Sequence, residues 1–157
     1  MAITTVLPIW QAIQSRFHKT VRGLPESDLS LSLGSASIGS MLRHNGEVEY
    51  MFAEWYFDRK IPEDIEIHTG RGAANIKVDM SSLDELIAFL EASNDHLIEA
   101  MKSLPENKWT EPVESPMGVT TPLEAVGRLM YHTGIHAGQI SLIQKATKEN
   151  QSATQVH

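Results

Sequence analysis

Four stretches of the chain repeat their apolar residues at helical spacing. In the first, from about Thr5 to Arg22, Ile9, Ile13, Phe17 and Val21 recur every fourth position, with Val6, Trp10 and Gln14 one row over. Thr5 is placed to cap this helix, and Gly23 followed by Leu24-Pro25 to stop it. Pro8 falls in the first turn, where a missing amide donor costs little. The second stretch begins at Ser35 or Ser37 and ends near Asp58, with the stripe Met41, His44, Val48, Met51 and Trp55. Gly39 and Gly46 lower its propensity, so packing must hold it. The third opens on the capping box Ser82-Leu-Asp-Glu85 and carries Leu83, Leu86, Ile87, Leu90, Leu97, Ile98 and Met101 on one face. The fourth opens on Thr121-Pro-Leu-Glu124: a cap, a proline at the first helical position and a capping glutamate. It runs to about Lys145.

The connections differ in kind. From Asp58 to Ser81 no helical pattern is sustained; Pro62, Gly70 and Gly72 break it, and Asn75 to Met80 alternates as a short extended piece would. A connection this long inside a compact domain usually has a job. Here it lets the third helix start at the far end from where the second stops, a crossover and not a hairpin. Pro105 and the stretch Glu106 to Thr120 predict a loop with a small hairpin around Trp109 and Val119. The expected architecture is an all-α four-helix bundle over residues 1–147, followed by a polar, disordered tail over 148–157.

Composition narrows the possibilities. The 157 residues suit one domain. Cysteine is absent, which excludes a disulfide scaffold and thiolate ligands and is compatible with a reducing cytoplasm, the expected location. A formal net charge of −7 disfavours nucleic-acid phosphates and anionic membranes as partners. The first ten residues do not read as a signal peptide. No apolar run approaches the roughly 20 residues of a membrane span.

The chemistry lies in the histidines. His132 and His136 stand four apart in the best-delimited helix, one above the other on its apolar face, with Leu129, Ile140 and Ile143 as neighbours. Neutral imidazoles are good ligands for zinc, nickel, iron or copper. The same pair also fits hydrogen-bonded core rings, or a surface accident. Thr133 occupies the position that a glutamate holds in the zinc-protease motif, so a metalloprotease of that type is excluded. His44 lies within the apolar stripe of the second helix and supplies a third candidate ligand. Three histidines from two facing helices leave a coordination position open, as catalytic sites do. His18, His68, His96 and His157 are read as non-ligands.

The run Tyr131-His132-Thr-Gly-Ile-His136-Ala-Gly138-Gln139-Ile140 resembles the C-terminal helix motif of DinB/YfiT-like proteins. Ile38-Gly-Ser-Met-Leu-Arg-His44 resembles the start of that family's second helix, which supplies a third histidine. Helix order, the long second connection and chain length agree. The resemblance implies an up-down-down-up bundle with a three-histidine site for nickel, zinc, iron or manganese. It also implies that some relatives are thiol-dependent transferases or isomerases whose thiolate takes the open metal position. With no cysteine in the chain, that thiol would be a low-molecular-weight cosubstrate.

Other residues carry weaker assignments. Glu47, one turn after His44, reads as a fourth ligand, an acceptor behind a ligand, a base or a solvated carboxylate. Gln139 and Tyr131 are candidate hydrogen-bonding groups, and Arg128 a candidate for an anionic substrate. These three would otherwise serve in helix packing, aromatic packing and a surface ion pair, respectively. Gly70-Arg71-Gly72 reads as a lid tip with Arg71 gripping a carboxylate. Gly138 and Gly134 would let helices approach closely. Trp10, Trp55, Tyr56 and Phe57 offer more apolar surface than one bundle face needs, which predicts a homodimer. The functional expectation is a metal-dependent transferase or hydrolase acting on a small molecule. The alternatives are a non-catalytic metal-binding or stress-related bundle and a plain dimerisation module.

Overall fold

The computed structural model describes residues 1–70 and 80–155. Arg71 and Gly72 of the expected lid tip, His157, and all but the last residue of the extended piece at Asn75 to Met80 lie outside the described residues.

The four expected helices form: α1 (Ala2–Arg22), α2 (Ile38–Phe57), α3 (Leu83–Ser103) and α4 (Pro122–Gln155). Local chemistry sets most of their starts. The Ser37 hydroxyl accepts the Ser40 amide at 3.1 Å, and Ser82 accepts the Glu85 amide at 3.3 Å. At α4 the capping box is complete: Thr121 Oγ1 accepts the Glu124 amide at 3.1 Å, and Glu124 Oε2 accepts the Thr121 amide at 2.9 Å. The α2 terminus is a left-handed Asp58 with φ 53°. Between α3 and α4, β1 (Val113–Ser115) pairs antiparallel with β2 (Gly118–Thr120) in the small hairpin expected.

Two boundaries and one buried face depart from expectation. The first helix starts at Ala2 on an uncapped Met1, so Thr5 is internal and Pro8 sits in the second turn. There the proline forgoes an intrahelical bond that it would not lose in the first turn. The fourth helix continues through Gln155 into the stretch read as a polar tail; no glycine or proline between Lys145 and Gln155 stops it. On α2 the buried row is Ile38, Leu42, Asn45, Glu49, Phe52 and Tyr56. It lies one position round from the expected stripe, of which Val48 alone is fully buried. The helix packs against both α3 and α4, so its buried arc is wide, and His44 sits at the margin.

Two apolar clusters fill the bundle. One joins Val6 and Trp10 of α1, Phe52 to Phe57 of α2, Leu97 and Met101 of α3, and Ala125 to Leu129 of α4, closed by Trp109. The other joins Phe17 and Val21, Ile38 and Leu42, Leu86 and Leu90, and Ile140 and Ile143. Trp10, Tyr56 and Phe57 are therefore core residues, at most 3% exposed, and leave no surface for the dimer contact expected of them. The faces of α1 and of the end of α2 meet in one cluster, which uses their aromatic surface internally.

The two α2 glycines answer to close packing. A Cβ at Gly46 would lie 2.6 Å from the Phe89 ring, and one at Gly39 would lie 2.5 Å from the Met80 carbonyl oxygen. At Gly134 and Gly138, by contrast, a Cβ would meet nothing within 4 Å among the described residues, so the close helix approach expected of them is not made there. Among the described residues no helix is long and apolar enough to cross a membrane.

Candidate metal centre

Helix α4 stacks His132 and His136 one turn apart, and α2 brings His44 against them. His132 Nε2 lies 2.9 Å from His44 Nε2 and 3.0 Å from His136 Nε2. Among the described residues these three histidines form the one group of three or more metal-ligating side chains whose ligand atoms lie within 4.8 Å of one another. Atoms that each bind one ion at roughly 2.0–2.2 Å can be no more than about 4.4 Å apart, and the two short separations fall well inside that limit.

The electrostatics favour the ligand form. Burial, with the nearby His136 and His44, pushes the His132 imidazole down to about 4. His44 is lowered by burial and by His136, with Glu47 acting in the opposite sense. Burial also lowers His136, against a smaller opposing effect from its bond to Gln139. All three rings are thus neutral at ordinary pH, with lone pairs available. Several nitrogens crowded at one point have few protons to share, and a cation satisfies them together. The donor set fits a divalent transition metal.

The surroundings of each ring differ. His136 Nδ1 bonds Gln139 Oε1 at 2.8 Å, one turn along the same helix. His44 Nδ1 meets Thr69 Oγ1 at 3.0 Å, a residue from the long connection. His132 Nδ1 is buried with no hydrogen-bond partner among the described residues. A cavity of about 530 Å³ opens beside the centre. Its wall includes His44, His136, Gln139, Arg43, Glu47 and Thr69.

Glu47 belongs to this wall but is neither free nor a member of the histidine group. Its Oε2 accepts Arg43 Nε at 2.9 Å; its Oε1 accepts the His68 amide at 2.7 Å, the Thr69 amide at 2.8 Å and the Thr69 hydroxyl at 2.9 Å. Burial pushes its carboxyl up, but these bonds from Arg43, Thr69 and His68 outweigh it and hold the group below the ordinary carboxylate range. Tyr131 is 73% exposed, and Arg128 is exposed a turn before His132; neither lines the cavity.

Sequence reasoning did not single out Arg43 or Thr69. Arg43 had a legible signal, its i,i+4 spacing to Glu47. Thr69 had none, because only the path of the connection brings it to His44.

Solved structures share this fold. A DinB-like protein from Bacillus cereus matches with a TM-score of 0.74 at 15% identity, over 91% of each chain. A mycothiol-dependent maleylpyruvate isomerase matches with a TM-score of 0.64 at 15% identity. The match covers 88% of this chain and 60% of the isomerase. A mutant of that isomerase matches similarly, with a TM-score of 0.65 at 14% identity. No curated protein sequence matches the chain. The sequence model of the DinB superfamily matches residues 9–140, spanning all three histidines, and the chain belongs to that superfamily.

Proposed function

We propose that the chain is a metal-dependent enzyme of the thiol-dependent transferase class, or a hydrolase, acting on a small molecule. The observation that carries this reading is the convergence of His44, His132 and His136 at the edge of a cavity large enough for a small substrate. His44, His132 and His136 would hold one divalent ion, nickel, zinc, iron or manganese. When bound, such an ion lowers the pKa of a thiol or water and makes a nucleophile near neutral pH. The protein's part is to keep three imidazoles neutral, to orient His44 through Thr69 and His136 through Gln139, and to shape the cavity. Any thiol comes from outside, since the chain has no cysteine. The mycothiol named for the isomerase of similar fold supports a low-molecular-weight thiol as cosubstrate.

The same reading takes the helices as up-down-down-up. In its support, one core cluster joins the end of α1 to the starts of α2 and α3, and the other joins the start of α1 to their ends.

The test is elemental analysis of purified protein, followed by spectral titration of the cobalt- or nickel-loaded form with candidate thiols. The expected result is about one ion per chain, its loss in His136→Ala, and a spectral change on adding thiol. Retention of the ion by His136→Ala would refute the site. A loaded protein that responds to no thiol, and turns over neither electrophile nor ester panels, would favour a non-catalytic metal-binding bundle.

A further inference from the structure

Thr69 has one hydroxyl placed between two groups. Its Oγ1 lies 2.9 Å from Glu47 Oε1 and 3.0 Å from His44 Nδ1. Glu47 has no proton to offer: Arg43 Nε occupies its Oε2, and two backbone amides point at the same Oε1 that faces Thr69. The Thr69 proton therefore goes to Glu47, and what Thr69 presents to His44 is a lone pair. A lone pair is satisfied by one form of a neutral imidazole, the form with its proton on Nδ1. That form leaves Nε2 bare, and Nε2 is the atom 2.9 Å from His132 Nε2.

The chain of contacts is anchored at its far end. Arg43 is fixed by three neighbours: Glu47, the Glu66 carbonyl oxygen at 2.8 Å, and the Phe89 ring with the guanidinium 3.7 Å from its centroid. Glu47 is 1% exposed, so its orientation is set by these bonds and not by solvent. His136 obtains its partner from Gln139, three residues along the same helix. His44 alone among the three reaches a partner 25 residues away, on the connection after α2.

We propose that Thr69 and Glu47 are positioning residues that fix His44 in the Nδ1–H tautomer and so aim its Nε2 lone pair at the point shared by the three histidines. The assignment rests on the metal reading above for its purpose, but the tautomer is a property of the protein alone. It also makes the docking of the connection a condition for His44 to serve as a ligand. Glu47 accordingly acts through Thr69 and not as a base.

The test uses Thr69→Val, which keeps the β-branched shape and removes the oxygen, and Thr69→Ser, which keeps the hydroxyl. In metal-free protein the ring carbon-13 and nitrogen-15 shifts of His44 report the tautomer directly. Wild type and Thr69→Ser should show Nδ1–H; Thr69→Val should show a mixture or Nε2–H. Zinc affinity should fall in Thr69→Val by roughly 10–100-fold, the usual effect of removing a partner behind a ligating histidine, and return in Thr69→Ser. Thr69→Ala serves in the same way should the valine variant not fold. An unchanged Nδ1–H tautomer without the hydroxyl would overturn the assignment while leaving the metal reading intact. A tautomer that depends on Thr69 in a protein that binds no zinc would overturn the metal reading and leave the assignment standing.

Discussion

Glu47 and Glu49 lie two residues apart on α2, each 1% exposed, and their carboxyls go in opposite directions. Glu47 faces the connection, whose Thr69 and His68 supply three hydrogen bonds, and Arg43 of α2 itself adds a fourth; it is held below the ordinary range. Glu49 faces α3, where Ser93 Oγ at 2.8 Å is its one donor among the described residues. Burial there outweighs that hydroxyl and pushes the carboxyl up to about 8. Both side chains are closed to solvent, but Glu49 lies deeper in the bundle and has fewer donors, and the two differences together give a charged group on one side of the helix and a neutral one on the other. The charged side holds the candidate metal centre together, while the neutral side lies in the helix packing. The contrast also separates purpose from cost: Glu47 works as an anion, whereas Glu49 is tolerated as an acid.

Breaking the charged side should have the largest effect. Glu47→Ala strips Arg43 of its carboxylate and leaves two amides and a hydroxyl without an acceptor. Removing one partner of a buried ion pair costs about 3–5 kcal/mol, and denaturant melts should show a loss on that scale. A loss near zero would mean that the connection is not held to α2 through Glu47.

The neutral side predicts a pH dependence of definite sign. The folded chain keeps the Glu49 proton up to about pH 8, while the unfolded chain releases it at the ordinary carboxyl value. Between those limits the unfolded state's Glu49 binds fewer protons, so the Glu49 contribution to stability falls as pH rises and levels off above about 8. Above the ordinary histidine range no opposing effect from His44, His132 or His136 remains. The slope approaches at most about 1.4 kcal/mol per pH unit for one group. Glu49→Gln should flatten that decline. An equally steep decline in the variant would assign it to other groups.

A smaller effect sharpens the comparison further. Ser93→Ala removes the single donor to Glu49 and should raise its carboxyl still more, at a stability cost of about 1 kcal/mol. Carboxyl chemical shifts followed against pH would show the change. A downward move would contradict the part that donors play in setting the charge.

Much of this molecule is legible in one sequence. The caps at Ser37, Ser82 and Thr121 are local chemistry, and the i,i+4 histidine pair is local geometry, so each stands where spacing placed it. His44 was identifiable because a histidine interrupting an apolar stripe is conspicuous. What sequence could not supply is anything set by the path of a connection. Thr69 reaches His44 across 25 residues, and Arg43 bonds a carbonyl 23 residues on. The contrast between Glu47 and Glu49 was hidden in part for the same reason: Arg43 is readable from its i,i+4 spacing, but the other donors to Glu47 come from the connection and the donor to Glu49 from α3. Three of the four aromatics expected at an interface, Trp10, Tyr56 and Phe57, are buried by the bundle against α3, α4 and Trp109, while Trp55 packs half-buried against the same cluster.

The central claim is that three imidazoles share one ion. X-ray absorption on zinc-loaded protein tests it most directly. The account predicts a first shell containing three histidine nitrogens at roughly 2.0–2.2 Å, with the ring scattering of imidazole behind them and one further light ligand. A shell of oxygen donors, or one with a single histidine, would contradict it.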